Sequence, residues 1–96
     1  MTGLDYLRTR RSEILAIAAR HGVTEIRIFG STARGDAGPT SDVDILVEVG
    51  ANRGPWFPGG LIAELETLLG RPVQVITVRG LNPLLRQRVL AEALPL

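Results

Sequence analysis

Ile28-Phe29-Gly30-Ser31-Thr32-Ala33-Arg34-Gly35-Asp36, followed shortly by Ser41-Asp42-Val43-Asp44-Ile45-Leu46-Val47-Glu48, is the stretch on which the fold turns. Its second half alternates. Val43, Ile45, Val47 and Val49 fall on one side of an extended chain, and Asp42, Asp44, Leu46 and Glu48 on the other. The spacing predicts a strand over 42–49 with one face in a core and the other beginning in two carboxylates. Upstream, Ile26 and Ile28 alternate with Glu25 and Arg27, and Val23 flanks them. That is a short strand running directly into a Gly30-Ser31 turn. Residues 31–34 open one or two helical turns, and 35–40, dense in breakers, read as a loop.

Working outward, Leu4, Leu7, Ile14, Leu15 and Ala18 share a helical face, which predicts one helix over roughly 4–20 stopped by His21-Gly22. Residues 52–60 are a loop by composition. Leu61, Ile62, Leu65, Leu68 and Leu69 then give a helix ended by Gly70 and Pro72, and a third strand covers 73–78. Asn82-Pro83 is a helix start, and Leu84, Leu85, Val89, Leu90 and Ala93 predict an amphipathic terminal helix. The order α-β-(α)-β-α-β-α implies an α+β (α/β) fold, a small mixed sheet of about three strands flanked by helices. With 96 residues, 45% of them hydrophobic, one domain over 1–96 is expected.

Eleven basic residues, all arginine, face ten acidic ones, so no polycationic surface marks a nucleic-acid coat and direct nucleic-acid binding is not indicated. The absence of cysteine excludes disulfides and thiolate metal sites. Arg8, Arg10 and Arg11 are followed by no apolar leader core, and no apolar run approaches the roughly 18 residues of a membrane span. A soluble cytoplasmic protein is expected.

The chemistry concentrates in four residues. Asp42 and Asp44 project from one face with Cα atoms roughly 6.5 Å apart, close enough to share one divalent ion or bridge two. Mg²⁺ favours a few carboxylates with its octahedron completed by water and phosphate oxygens. At Gly30-Ser31 a glycine lets the backbone approach a phosphate, and N–H groups with the Ser31 hydroxyl can bind its oxygens. Arg34, one turn on, can reach the same charge.

Gly30-Ser31, ten residues, then Asp42-Val43-Asp44 resembles the G-S-x10-D-x-D motif of the polymerase-beta-like nucleotidyltransferase superfamily. Length and the tail from Gly70-Arg71-Pro72-Val73 to Leu94 resemble the minimal nucleotidyltransferases (MNT), so that the likeness covers nearly the whole chain. The resemblance implies a nucleoside triphosphate, ATP or another, held by Gly30, Ser31 and Arg34, with Asp42 and Asp44 as catalytic residues that hold one or two Mg²⁺. It also implies transfer of AMP to a partner protein, a HEPN-domain ribonuclease toxin that the MNT neutralises as its antitoxin. Homo- or hetero-oligomers are compatible with this reading.

One position departs from the family pattern. Members usually supply a third carboxylate from the next strand, in a run of the type V-D-x-V, and here Val73-Gln74-Val75-Ile76 puts Gln74 there. An amide brings no charge and cannot act as a base. Two functions follow: transfer, or a binding module that neutralises its toxin by complex formation. Glu48, about 13 Å along the strand from Asp44, is too far to substitute, and Glu64 and Glu66 read as solvated. His21 reads as a helix C-terminal residue, Trp56-Phe57 as a loop packed on the core, and Arg86 and Arg88 as a solvated helix face.

Overall fold

The computed structural model describes residues 3–35, 38, 41–51 and 55–96, so most of the expected loop 35–40 and residues 52–54 of the expected loop 52–60 lie outside the described residues. The elements run α1 (Gly3–Thr9), α2 (Arg11–Arg20), β1 (Val23–Phe29), α3 (Gly30–Arg34), β2 (Val43–Val49), α4 (Gly59–Leu69), β3 (Val73–Thr77), α5 (Pro83–Glu92) and β4 (Leu94–Pro95).

The single helix expected over 4–20 is two. Thr9 Oγ1 donates to the Tyr6 carbonyl at 2.6 Å, and the Arg10 N–H turns to Leu7 O three residues back. A hydroxyl competing for a helical carbonyl at the first helix's end, followed by a tightened turn, breaks the run at Arg10. Leu7, Ile14 and Ala18 nevertheless all reach the core. At the far end of α2, His21 is the C-cap, as expected, and it also bonds Glu64 on α4. Arg20 donates to the other Glu64 oxygen at 3.0 Å. Glu64 is therefore an inter-helix tie rather than a solvated acid, and the His21 bond followed by that of Arg20 holds its carboxyl below the usual range.

The sheet has four strands in the order β3-β2-β1-β4, one more than the pattern predicts. β1 and β2 pair antiparallel, while β2 and β3 pair parallel, with α4 as the crossover that parallel strands require. Leu61, Leu65 and Leu69, one turn apart on α4, pack with Leu7, Ile14 and Ala18 over Ile26, Ile28, Val43, Ile45, Val47 and Val73. The helices α1, α2 and α4 thus cover one sheet face. β4 is only two residues, set antiparallel to the edge of β1, and its Pro95 carbonyl accepts from Arg8 on α1 at 3.0 Å. So short an edge strand carries no alternation to detect, and proline belongs at such an edge.

Three other expectations change. Leu46, assigned to the open face with the carboxylates, is 1% exposed, flanked across the strands by Arg27 and Ile76. Phe57 packs on the core as expected, whereas Trp56 is 79% exposed. Helix α5 starts where Asn82-Pro83 predicts, the Asn82 side chain accepting the Leu84 N–H, but none of its residues is fully buried and Leu84 is 90% exposed. The physical reason lies in the period. Leu84 and Val89, both on α5, lie about 140° apart around the helix axis, so they cannot share a narrow stripe, and Ala93 lies past the helix end with extended backbone.

These burials separate two kinds of leucine. Leu65→Ala should lower unfolding free energy by about 2–5 kcal/mol, and Leu84→Ala should change it by under about 0.5 kcal/mol, both read from urea denaturation.

Candidate active site

Strand register decides which side chains meet. Phe29 stands opposite Asp44 across the antiparallel pair, so Gly30, the next residue, arrives beside that carboxylate. Gln74 stands opposite Asp44 across the parallel pair. Directly opposed residues share a sheet face, so Asp44 and Gln74 rise from the face away from the core, and Asp42 joins them by alternation. Residues 29–31, 42–44 and 74 therefore converge at one end of the sheet.

Gly30 has φ +70°, and a Cβ built there would overlap the Asp44 Oδ2 atom. Both the left-handed backbone and the close approach require glycine. Its bend releases the chain from β1 into α3, a single turn whose buried residue is Thr32, leaving Ser31 half-buried and Arg34 exposed.

Asp42 is exposed and precedes the first residue of β2, so the strand ladder does not hold it directly. Its Oδ2 accepts a hydrogen bond from Gln74 Nε2 at 3.1 Å. Asp44 is half-buried, and its carboxyl is pushed above the ordinary range, first by burial and then by the Asp42 charge, while the Arg34 guanidinium pulls it back. Burial removes water that would stabilise the anion, and a second anion nearby adds repulsion. The fold thus pays a cost for ionised Asp44, complete above the raised pKa and relieved as pH falls through it. A bound dication would remove that cost by supplying opposite charge.

The donor set fits such an ion. Two carboxylates with hard oxygens suit Mg²⁺ when phosphate and water complete its shell. No cluster of three His, Cys, Asp or Glu side chains suited to a metal occurs among the described residues. Gln74 occupies the third position and presents its N–H to Asp42. Glu48 pairs instead with Glu25 across β1, a hydrogen bond that raises the Glu48 carboxyl.

The family described as a nucleotidyltransferase domain matches residues 11–96, which takes in the whole of this constellation. The chain belongs to the nucleotidyltransferases. A Methanocaldococcus jannaschii relative named as a protein adenylyltransferase, MJ0435, is 43% identical over 83 residues, 86% of this chain and 89% of the relative. The protein adenylyltransferase MntA of Thermococcus cleftensis is 40% identical over 73 residues, 76% of this chain and 74% of its own. A solved minimal nucleotidyltransferase structure superposes with a TM-score of 0.86 at 46% identity, covering 100% of this chain and 97% of that one. A toxin–antitoxin complex with AMP-PNP shares the fold at 22% identity and a TM-score of 0.73, covering 88% of this chain and 69% of that one. The nucleotidyltransferase is thus a minimal, MntA-type member, and the family resemblance read from its motif holds.

Two residues of this nucleotidyltransferase escaped the sequence reading. Arg71 Nη2 donates to Gly38 O at 2.6 Å and Ser41 O at 2.8 Å, just before Asp42. Glu66, read as solvated, accepts the Val73 N–H at 3.0 Å and so fixes the start of the edge strand that carries Gln74. An arginine between Gly70 and Pro72 has no periodicity to mark it, and a helix glutamate looks like any solvated acid.

Removing the charge at residue 44 should expose the cost of ionising it. In metal-free buffer at neutral pH, Asp44→Asn should raise the melting temperature, whereas Gly30→Ala should lower it. Calorimetric scans of both variants check the pair of signs.

Proposed function

We propose that this nucleotidyltransferase transfers AMP from ATP to a partner protein, a HEPN-domain ribonuclease toxin, and so acts as its antitoxin in the cytoplasm. The supporting observation is the convergence of Gly30-Ser31 with Asp42 and Asp44 at one end of the sheet, with Gly30 pressed against Asp44. The names of its adenylyltransferase relatives and the toxin–antitoxin context of its structural neighbours support the same reading.

In this reading Gly30 and Ser31 bind the triphosphate through backbone N–H groups and the Ser31 hydroxyl, and Arg34 offsets its charge. Asp42 and Asp44 would hold Mg²⁺. The ion would neutralise the phosphates and stabilise charge during attack on the α-phosphorus, with pyrophosphate as leaving group. Gln74 cannot accept the proton of the acceptor hydroxyl, so that proton must leave to solvent or to the partner. The lost base implies a rate lower by about 10² to 10⁴ than an acid-bearing site gives.

A second reading is favoured by one observation. Gln74 donates to Asp42 and so satisfies one oxygen of that carboxylate without a cation. In that case the chain neutralises its toxin by complex formation alone, for which the exposed Trp56, Leu84 and Leu85 offer apolar surface.

The two readings part in one assay. The protein is incubated with Mg²⁺, labelled ATP and the protein encoded by the adjacent gene. Label on that partner, absent with Asp42→Ala, is the expected result. Neutralisation that survives Asp42→Ala/Asp44→Ala together would overturn transfer as the mechanism. Gln74→Asp should raise the labelling rate, by up to about 10² to 10⁴, as a base returns to the site.

A further inference from the structure

We infer that Arg71 is a positioning residue for the metal-binding carboxylate of Asp42, an inference that rests on reading Asp42 and Asp44 as the cation ligands. Asp42 is exposed and lies one residue outside β2, so the backbone that precedes it determines where its carboxylate sits. That backbone is gripped from the segment entering β3. Arg71 Nη2 spans the Gly38 and Ser41 carbonyls at 2.6 and 2.8 Å, and the Val43 N–H bonds to Pro72 O at 2.9 Å. Asp42 is thus clamped between a side-chain tie on its N-terminal side and a backbone tie on its C-terminal side. Within the clamp, Ser41 Oγ accepts the Gly38 N–H at 2.8 Å and the Ser41 N–H donates to Gly38 O at 3.2 Å, so the two residues that the arginine joins are also bonded to each other.

Both arginine bonds leave from one nitrogen. The guanidinium is half-buried, and its Nε has no hydrogen-bond partner among the described residues. Arg71 is tied here by a single donor centre that joins two carbonyls. An ammonium has three donors and can reproduce such a bridge, whereas the shorter glutamine amide cannot reach both oxygens. Groups that orient a metal ligand from behind typically change metal affinity by about 10- to 100-fold.

The test titrates Mn²⁺ alone, read by electron paramagnetic resonance, into wild type, Asp42→Ala, Arg71→Gln and Arg71→Lys, with melting temperatures measured alongside. Asp42→Ala should lose binding. Arg71→Gln should bind about 10- to 100-fold more weakly while still folded at the assay temperature, and Arg71→Lys should recover most of the loss. Wild-type affinity in folded Arg71→Gln, with Asp42→Ala inactive in binding, overturns the role of Arg71 and leaves the metal site standing. Wild-type affinity in Asp42→Ala overturns the metal reading itself, and the inference with it. If Arg71→Gln melts below the assay temperature, Arg71→Lys decides: near-wild-type affinity supports the bridge, and a loss as large as that of Asp42→Ala overturns it.

Discussion

The pairing of Asp44 with Phe29 on one side and Gln74 on the other is the constraint from which the rest of the site follows. Because side chains alternate along a strand, a slip of one residue in β2 would send Val43, Ile45 and Val47 to the open face and bury Asp42, Asp44 and Glu48 against the leucines of α4. Three valine and isoleucine side chains at or near zero exposure make that slip prohibitively costly. The core therefore sets the register, and the register sets the chemistry. The same pairing brings Gly30 to Asp44, where a Cβ would displace the Asp44 carboxylate and the left-handed φ of +70° favours glycine.

Electrostatic tension is built into this arrangement. Two carboxylates occupy alternate positions at the head of one strand, and the nearer to the sheet is partly desolvated. Arg34 offsets some of that charge from α3, and Gln74 satisfies one oxygen of Asp42. Under the proposed function, such a carboxylate pair would gain stability from a dication, and that gain would be available to nucleotide binding if the triphosphate shared the ion.

What could be read in advance was whatever repeats or breaks a repeat. The alternation over 43–49 marked β2, the leucines of 61–69 marked α4, and Asn82-Pro83 marked the start of α5, because each pattern records burial or capping directly. The break at Arg10 depends on a hydroxyl bonding a local carbonyl, which leaves the apolar spacing intact on both sides. Leu46 departs from strict alternation because its cross-strand neighbours Arg27 and Ile76 shield it, and pairing partners are invisible in a single strand. The same holds for β4, whose two residues acquire meaning only beside β1. Within the site, Gly30, Ser31, Asp42 and Asp44 were legible as a spaced motif, while Arg71 and Glu66 there, and Glu64 between α2 and α4, act through contacts across 7 to 44 residues that no local pattern encodes.

The segment 71–74 binds these observations together. It supplies Arg71 and Pro72 to the backbone on either side of Asp42, Val73 to the core, and Gln74 to the carboxylate itself. Three of its four residues thus act on one aspartate that its own strand does not hold. If the third acid of the family pattern stood at position 74, this segment would both place Asp42 and add a third negative charge beside Asp42 and Asp44. With glutamine there the placing function persists and the charge is gone. The parallel pairing of β2 with β3 then has a structural reason to be retained whether or not transfer is fast, since it still fixes the backbone around Asp42, which the proposed function makes a cation ligand.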